Sequence, residues 1–182
     1  VAEPPSAEKL QALMRNPSDH GFLWRVSKGG RTSVLYGTIH VAKAEWMVPG
    51  PVVSQALRDT DILALELDVM DPGIQQRMVA LMAKAGPKLP EALVSRISRL
   101  AKADCLAYEN IAGYPVEFQI MMLLIQDSSW EGLHAAYAID LVLAGIGHGA
   151  QKTVVSLETP ESQMEAVRMR NSRETLAYVG SS

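Results

Sequence analysis

With 182 residues, 48% of them apolar, the chain has material for one sizeable core. Its formal charge of −3 spreads no basic field, so nucleic acid is excluded as an expected partner. Unbroken apolar runs no longer than Ile120 to Ile125 fall far short of the roughly 20 residues a membrane span needs, so no transmembrane segment is expected.

Residues 1–21 read as a flexible lead-in, with a short helical stretch at Lys9–Arg15 that must end before Pro17. The polar, Pro-rich start without methionine fits an exported chain after removal of its signal, and equally a chain trimmed at its start. The expected location is therefore periplasmic or otherwise extracytoplasmic. His20 falls in the polar loop Asn16–Gly21. From residue 22 to 182 the chain reads as a single domain.

Phe22–Ser27 and Arg31–Ile39 are alternating or β-branched runs joined by Lys28-Gly29-Gly30, the pattern of an antiparallel hairpin. Gly37 lets the second run turn or pass close to another segment, and His40 then projects from its carboxyl end. The loop Val41–Pro51 follows a strand end of this kind, which makes Glu45 and Trp46 candidate substrate contacts. Val52–Leu57 is a short helix leading to the strand Asp61–Asp68, and a parallel crossover from the hairpin is the natural connection. Alternation puts Leu63, Leu65 and Leu67 on one face and Ile62, Ala64 and Glu66 on the other. A carboxylate interrupting such a strand must be paired, protonated or bound to a metal if it is buried. Asp68 is read as a cap for the helix near Pro72.

The middle, Asp71 to Ser129, is helical, with helices opening at Pro72, Pro90 and Pro115 and a stop at Gly86-Pro87. The third has Phe118, Met121, Met122 and Ile125 as its apolar face, with the methionines as core filler. The lone Cys105 is expected to be half-buried filler without a disulfide. A long helix is expected from Trp130, with His134 at its solvated start and a glycine-rich end at Gly145–Gly149. Thr153–Thr159 is a strand, and Thr159 caps a last helix opening at Pro160. The expected fold class is α/β (α+β): a mixed sheet that begins with an antiparallel hairpin, flanked by helices.

Three strand ends thus carry His40, Glu66 and Glu158, and one sheet edge would gather an imidazole and two carboxylates. That donor set suits a divalent ion such as Mn²⁺, Co²⁺ or Zn²⁺ without selecting among them. The three are the candidate catalytic residues as well as the candidate metal ligands. One carboxylate left off the metal would serve as general base.

In order and spacing, several segments resemble the TraB/GumN family, the bacterial relatives of the Tiki metalloproteases: Leu23-Trp24-Arg25-Val26, Leu35-Tyr36-Gly37-Thr38-Ile39-His40-Val41, Leu65-Glu66-Leu67-Asp68, Ala138-Ile139-Asp140 and Leu157-Glu158-Thr159-Pro160-Glu161-Ser162-Gln163. The resemblance runs from about Phe22 to Val167. It implies a mixed sheet flanked by helices, a divalent metal, and a role in hydrolysis or in regulating a secreted peptide, in proteins that are exported or membrane-associated. It places His40 at the histidine of the first Gly-x-x-His motif, Glu66 at the acidic residue of the next strand, and Glu158 at that of the Leu-Glu-Thr segment.

One departure concerns the family's second Gly-x-x-His motif, which lies well beyond the Leu-Glu-Thr segment, whereas this sequence stops at Ser182. Gly145-Ile146-Gly147-His148 has the letters but precedes Glu158, and is read as coincidence. The expectations are therefore a metal-dependent hydrolase acting on a peptide or related small substrate, a non-catalytic peptide-binding or regulatory protein with the same cleft, or a homo-oligomer or longer chain in which a further segment completes the site.

Overall fold

The structure is a computed structural model that describes residues 6–84, 86 and 88–168. Helix α1 (Ala7–Arg15) starts where Ser6 accepts a hydrogen bond from the Lys9 N–H, and it ends before Pro17. Strands β1 (Leu23–Lys28) and β2 (Arg31–Tyr36) form the expected hairpin, with Lys28 opposite Arg31 and Leu23 opposite Tyr36. Gly29 and Gly30 both have positive φ, the backbone a two-residue turn of this hand demands. Helix α2 (Pro51–Asp59) leads to β3 (Ile62–Leu65). Helices α3 (Pro72–Met82), α4 (Glu91–Ala103) and α5 (Val116–Ser129) fill the middle of the chain. Then come α6 (Ile139–Gly149), β4 (Thr153–Ser156) and α7 (Pro160–Val167), the last opened by a capping box between Thr159 and Ser162.

The class is mixed α/β as expected, but the strands form two small sheets rather than one. Among the described residues β1 pairs only with β2, and β3 pairs in parallel with β4, from Ile62 opposite Thr153 to Leu65 opposite Ser156. The crossover expected from the hairpin through α2 is replaced by this long-range pairing. β4 satisfies the backbone of β3, and the bond from Leu157 N–H to the Leu65 carbonyl extends their ladder.

Two compact units arise. Of the described residues, the first takes 6–70 with 132–157 and the second 71–131 with 158–168. The first is built on Ala42, Val53, Leu65, Tyr137, Ile139, Leu143 and Ala144, with Leu23, Tyr36 and Trp46 packed against them. Helix α6 lies close on the parallel pair because Gly147 has no side chain: a Cβ there would stand 2.8 Å from Leu63 Cδ2 and 3.0 Å from Val154 Cγ2. The second unit is built on Leu93, Ile97, Ala101, Ile111, Val116, Ile120 and Leu123. The spacing Val116, Ile120, Leu123 is the true inner stripe of α5, so Met121 on the expected stripe is exposed.

Three local expectations change. The stretch from Trp130 to Ala138 is not helical: His134 makes an antiparallel bridge with Ala42, and Ala135–Tyr137 is a single 3-10 turn before α6 begins. Cys105 is exposed, because it occupies the left-handed position just past the end of α4, with φ of 56°. Asp71, not Asp68, caps α3, accepting from the Ile74 N–H. Pro87, expected to help end α3, lies outside the described residues. Among the described residues, no helix is long and apolar enough to cross a membrane.

Candidate functional site

His40 is held by its neighbours along the chain. The Ile39 carbonyl accepts from the N–H of Ile139, the first residue of α6, and Ala42 exchanges both backbone bonds with His134. These bonds on either side fix the backbone that carries the imidazole. Ala42 is fully buried, so the segment cannot lift away without opening the core.

Helix α6 supplies the imidazole's first partner. Asp140, in its opening turn, has Oδ2 3.1 Å from His40 Nδ1. A carboxylate beside Nδ1 selects the tautomer or charge state in which that nitrogen carries a proton, which aims Nε2 outward. Nε2 lies 3.4 Å from Glu66 Oε2. Glu66 follows β3 between two buried residues, Leu65 and Leu67, so the chain's alternation drives its side chain outward. The carboxylate expected inside a strand is in fact more than half exposed, with a relative side-chain accessibility of 57%. The Asp140 hydrogen bond leads the causes that raise the His40 pKa, with the charges of Asp140 and Glu66 adding to it against partial desolvation. Asp140 Oδ1 is buried without a hydrogen-bond partner among the described residues.

His40 and Glu66 are therefore brought together, and Asp140 joins them. Asp140 stands out in the sequence only as part of the Ala-Ile-Asp segment. Its role shows once α6 begins at Ile139 rather than near Trp130, which turns residue 140 toward the His40 loop. Glu158 lies two residues past β4, exposed, just before the Thr159 cap of α7, and belongs to the second unit.

Gly37 continues the hairpin ladder by donating to the Phe22 carbonyl, and a Cβ there would meet only that oxygen, at 3.8 Å. Its immediate space does not demand glycine. Glu45 is exposed on the 3-10 turn Ala44–Trp46. Trp46 is half-buried against the first core and lies 5.8 Å from the His20 ring, so it anchors its loop.

Two further polar clusters stand in the same unit, neither of them singled out in the sequence as a site. Asp68 is buried, and its Oδ2 accepts from His148 Nε2 at 2.7 Å. Asp19 accepts from the N–H groups of Val52 and Val53, at 3.0 and 2.9 Å, and so caps α2 from a distant loop.

The donor chemistry of His40 and Glu66 fits a divalent ion in part. Two atoms bound to one tetrahedral ion at about 2.1 Å stand roughly 3.4 Å apart, a separation close to that between Nε2 and Oε2. Asp140 behind the ring is the usual partner of a metal-bound imidazole. Against this, no three His, Cys, Asp or Glu side chains among the described residues are grouped to hold an ion. Two protein donors with a supporting carboxylate are present in the first unit.

Comparison with curated proteins and with solved structures returned no match. Residues 22–179 match the family model described as the TraB/PrgY/gumN family, which spans most of the chain, and the protein belongs to that family.

Proposed function

We propose that the protein is a metal-dependent hydrolase acting on a peptide or related substrate, with its reacting centre at His40 and Glu66. The observation that carries this reading is the position of one imidazole between two carboxylates, Asp140 on Nδ1 and Glu66 near Nε2. Asp140 keeps the ring fixed, so the outward nitrogen is presented in one orientation. Glu66, accessible to solvent, can ligate or take a proton from water at the same place. His40 Nε2 and Glu66 would hold a divalent ion such as Mn²⁺, Co²⁺ or Zn²⁺, which when bound lowers the pKa of a coordinated water.

A second reading, a peptide-binding protein without catalysis, is favoured by one observation: among the described residues only two donors are grouped, where a catalytic ion usually takes three from the protein.

Calorimetric titration of Mn²⁺, Co²⁺ and Zn²⁺ into the protein tests the metal. The expected result is binding that disappears in Glu66→Ala and weakens roughly 10- to 100-fold in Asp140→Asn. A Glu158→Ala arm tests the third ligand that the family resemblance implies. Cleavage of a peptide mixture that survives both chelation and His40→Ala overturns the metal dependence and the placement of the reaction at His40. Metal-independent peptide binding without cleavage establishes the second reading.

A further inference from the structure

The two faces of the β1–β2 hairpin differ. The inner face carries Leu23 and Tyr36, which pack against the first core, and half-buried Val34. The register puts Phe22, Trp24, Val26 and Lys28 together with Arg31, Ser33 and Leu35 on the outer face. There Phe22 is 71% exposed, Trp24 52%, Val26 58% and Leu35 63%. A solvated face of an antiparallel sheet should be polar, and isolated exposed apolar residues are ordinary, but four contiguous large ones mark a contact surface. Phe22 and Trp24 are stacked, with ring centroids 5.7 Å apart, which presents a flat aromatic slab.

Charge narrows the occupant. Residues 22–37 contain Arg25, Lys28 and Arg31 and no acidic residue, although the chain as a whole is acidic. Lys28 and Arg31 are exposed at the tip of the outer face, and a second copy pressed on it would gather cations from both faces with no acid to answer them. An anionic lipid surface answers both properties. Aromatic rings settle at the headgroup boundary, and lysine and arginine pair with phosphates.

We propose that the outer face of the β1–β2 hairpin docks the protein on an anionic bilayer, with Phe22, Trp24, Val26 and Leu35 entering the headgroup boundary and Lys28 and Arg31 meeting lipid phosphates. The contact is peripheral and reversible, and it is independent of the His40 centre.

Co-sedimentation of the full chain with phosphatidylcholine vesicles, with and without phosphatidylglycerol, tests it. Binding is expected to the anionic vesicles, to weaken as salt rises, and to fall roughly tenfold or more in Lys28→Glu/Arg31→Glu. Leu35→Glu, on the same exposed face, is expected to weaken it as well, with circular dichroism confirming that each variant folds. His40→Ala is expected to bind as the unaltered protein does. No binding to anionic vesicles, equal binding to neutral ones, or a dimer in light scattering that Leu35→Glu dissolves would each overturn the proposal, the last by showing that a second copy covers the face.

Discussion

His148, near the end of α6, donates from Nε2 to the Oδ2 of Asp68 at 2.7 Å, joining positions eighty residues apart in the chain. Asp68 also accepts from the Met70 N–H through Oδ1, and its own backbone N–H donates to the Ser156 hydroxyl oxygen. Asp68 thus fastens the segment after β3 to α6 through its side chain and to β4 through its backbone. Asp68→Ala removes the acceptor of two partly buried hydrogen bonds, and the cost is expected to be about 2 kcal/mol. His148 is partly exposed, so His148→Ala should cost about 1 kcal/mol as water reaches the carboxylate. A double-mutant cycle by urea unfolding should give a coupling of roughly 0.5–2 kcal/mol. Additive losses would mean that the two side chains act independently.

Two glycines make opposite predictions from the same kind of contact. A Cβ on Gly50 would stand 2.2 Å from the Asp19 backbone nitrogen and 2.6 Å from the Ser18 carbonyl carbon, so it meets main chain that the cap on α2 holds in place. The φ of Gly50 is −68°, ordinary for any residue, and the cost is therefore steric alone. Gly50→Ala is expected to destabilise by about 3 kcal/mol or to release the Asp19 cap. A Cβ on Gly147 meets only side-chain carbons of Leu63 and Val154, which can shift, while alanine improves helix propensity by about 1 kcal/mol. Gly147→Ala should therefore be nearly neutral. Thermal unfolding of the two variants side by side checks the contrast.

The readable parts of the sequence were those with local causes. Pro72, Pro115 and Pro160 stand at helix starts, Gly29-Gly30 at the hairpin turn, and Thr159 at its cap because each imposes its geometry on its immediate neighbours. The pairing of β3 with β4 was not readable, since almost ninety residues separate them and an apolar run does not name its partner. The His134–Ala42 bridge overrode an apparent helix start for the same reason. At the candidate site, His40 and Glu66 were legible as polar residues ending apolar runs. Asp140 was visible only as a letter in a family segment, because a residue near the start of a helix carries no sign of what it faces. Asp68 has the chemistry of a cap, but Asp71, three residues on, has the same chemistry and the right position.

The ends of α4 and α6 share a feature that predicts a gain in stability. Past each helix a non-glycine residue adopts left-handed backbone: Cys105 at φ 56° and Gln151 at φ 55°. In both, the next N–H reaches back across six residues, Leu106 to Ala101 and Lys152 to Gly147. That pairing favours glycine at the left-handed position, where other residues pay about 1 kcal/mol. Gln151→Gly and Cys105→Gly should each stabilise by roughly 0.5 kcal/mol after glycine's greater freedom in the unfolded chain is counted. A lower denaturation midpoint for both would show that the side chains themselves hold these ends.

The Asp140–His40 contact makes a prediction in pH. The carboxylate, chiefly through its hydrogen bond, raises the His40 pKa in the folded protein, so the folded state favours the protonated imidazole. The stabilisation from this pair is then fully present below the unfolded value of about 6.5 and is lost as pH rises through the folded pKa. His40 has 67% of its side chain exposed, so solvent screening keeps the change in stability under about 1 kcal/mol. The clearer readout is NMR titration of the imidazole. Its midpoint should fall in Asp140→Asn and fall less in Glu66→Gln, because Glu66 contributes only the smaller causes. An unchanged midpoint in Asp140→Asn would mean that the carboxylate does not hold the ring in solution, and with it would go the fixed direction of Nε2 on which the proposed chemistry depends.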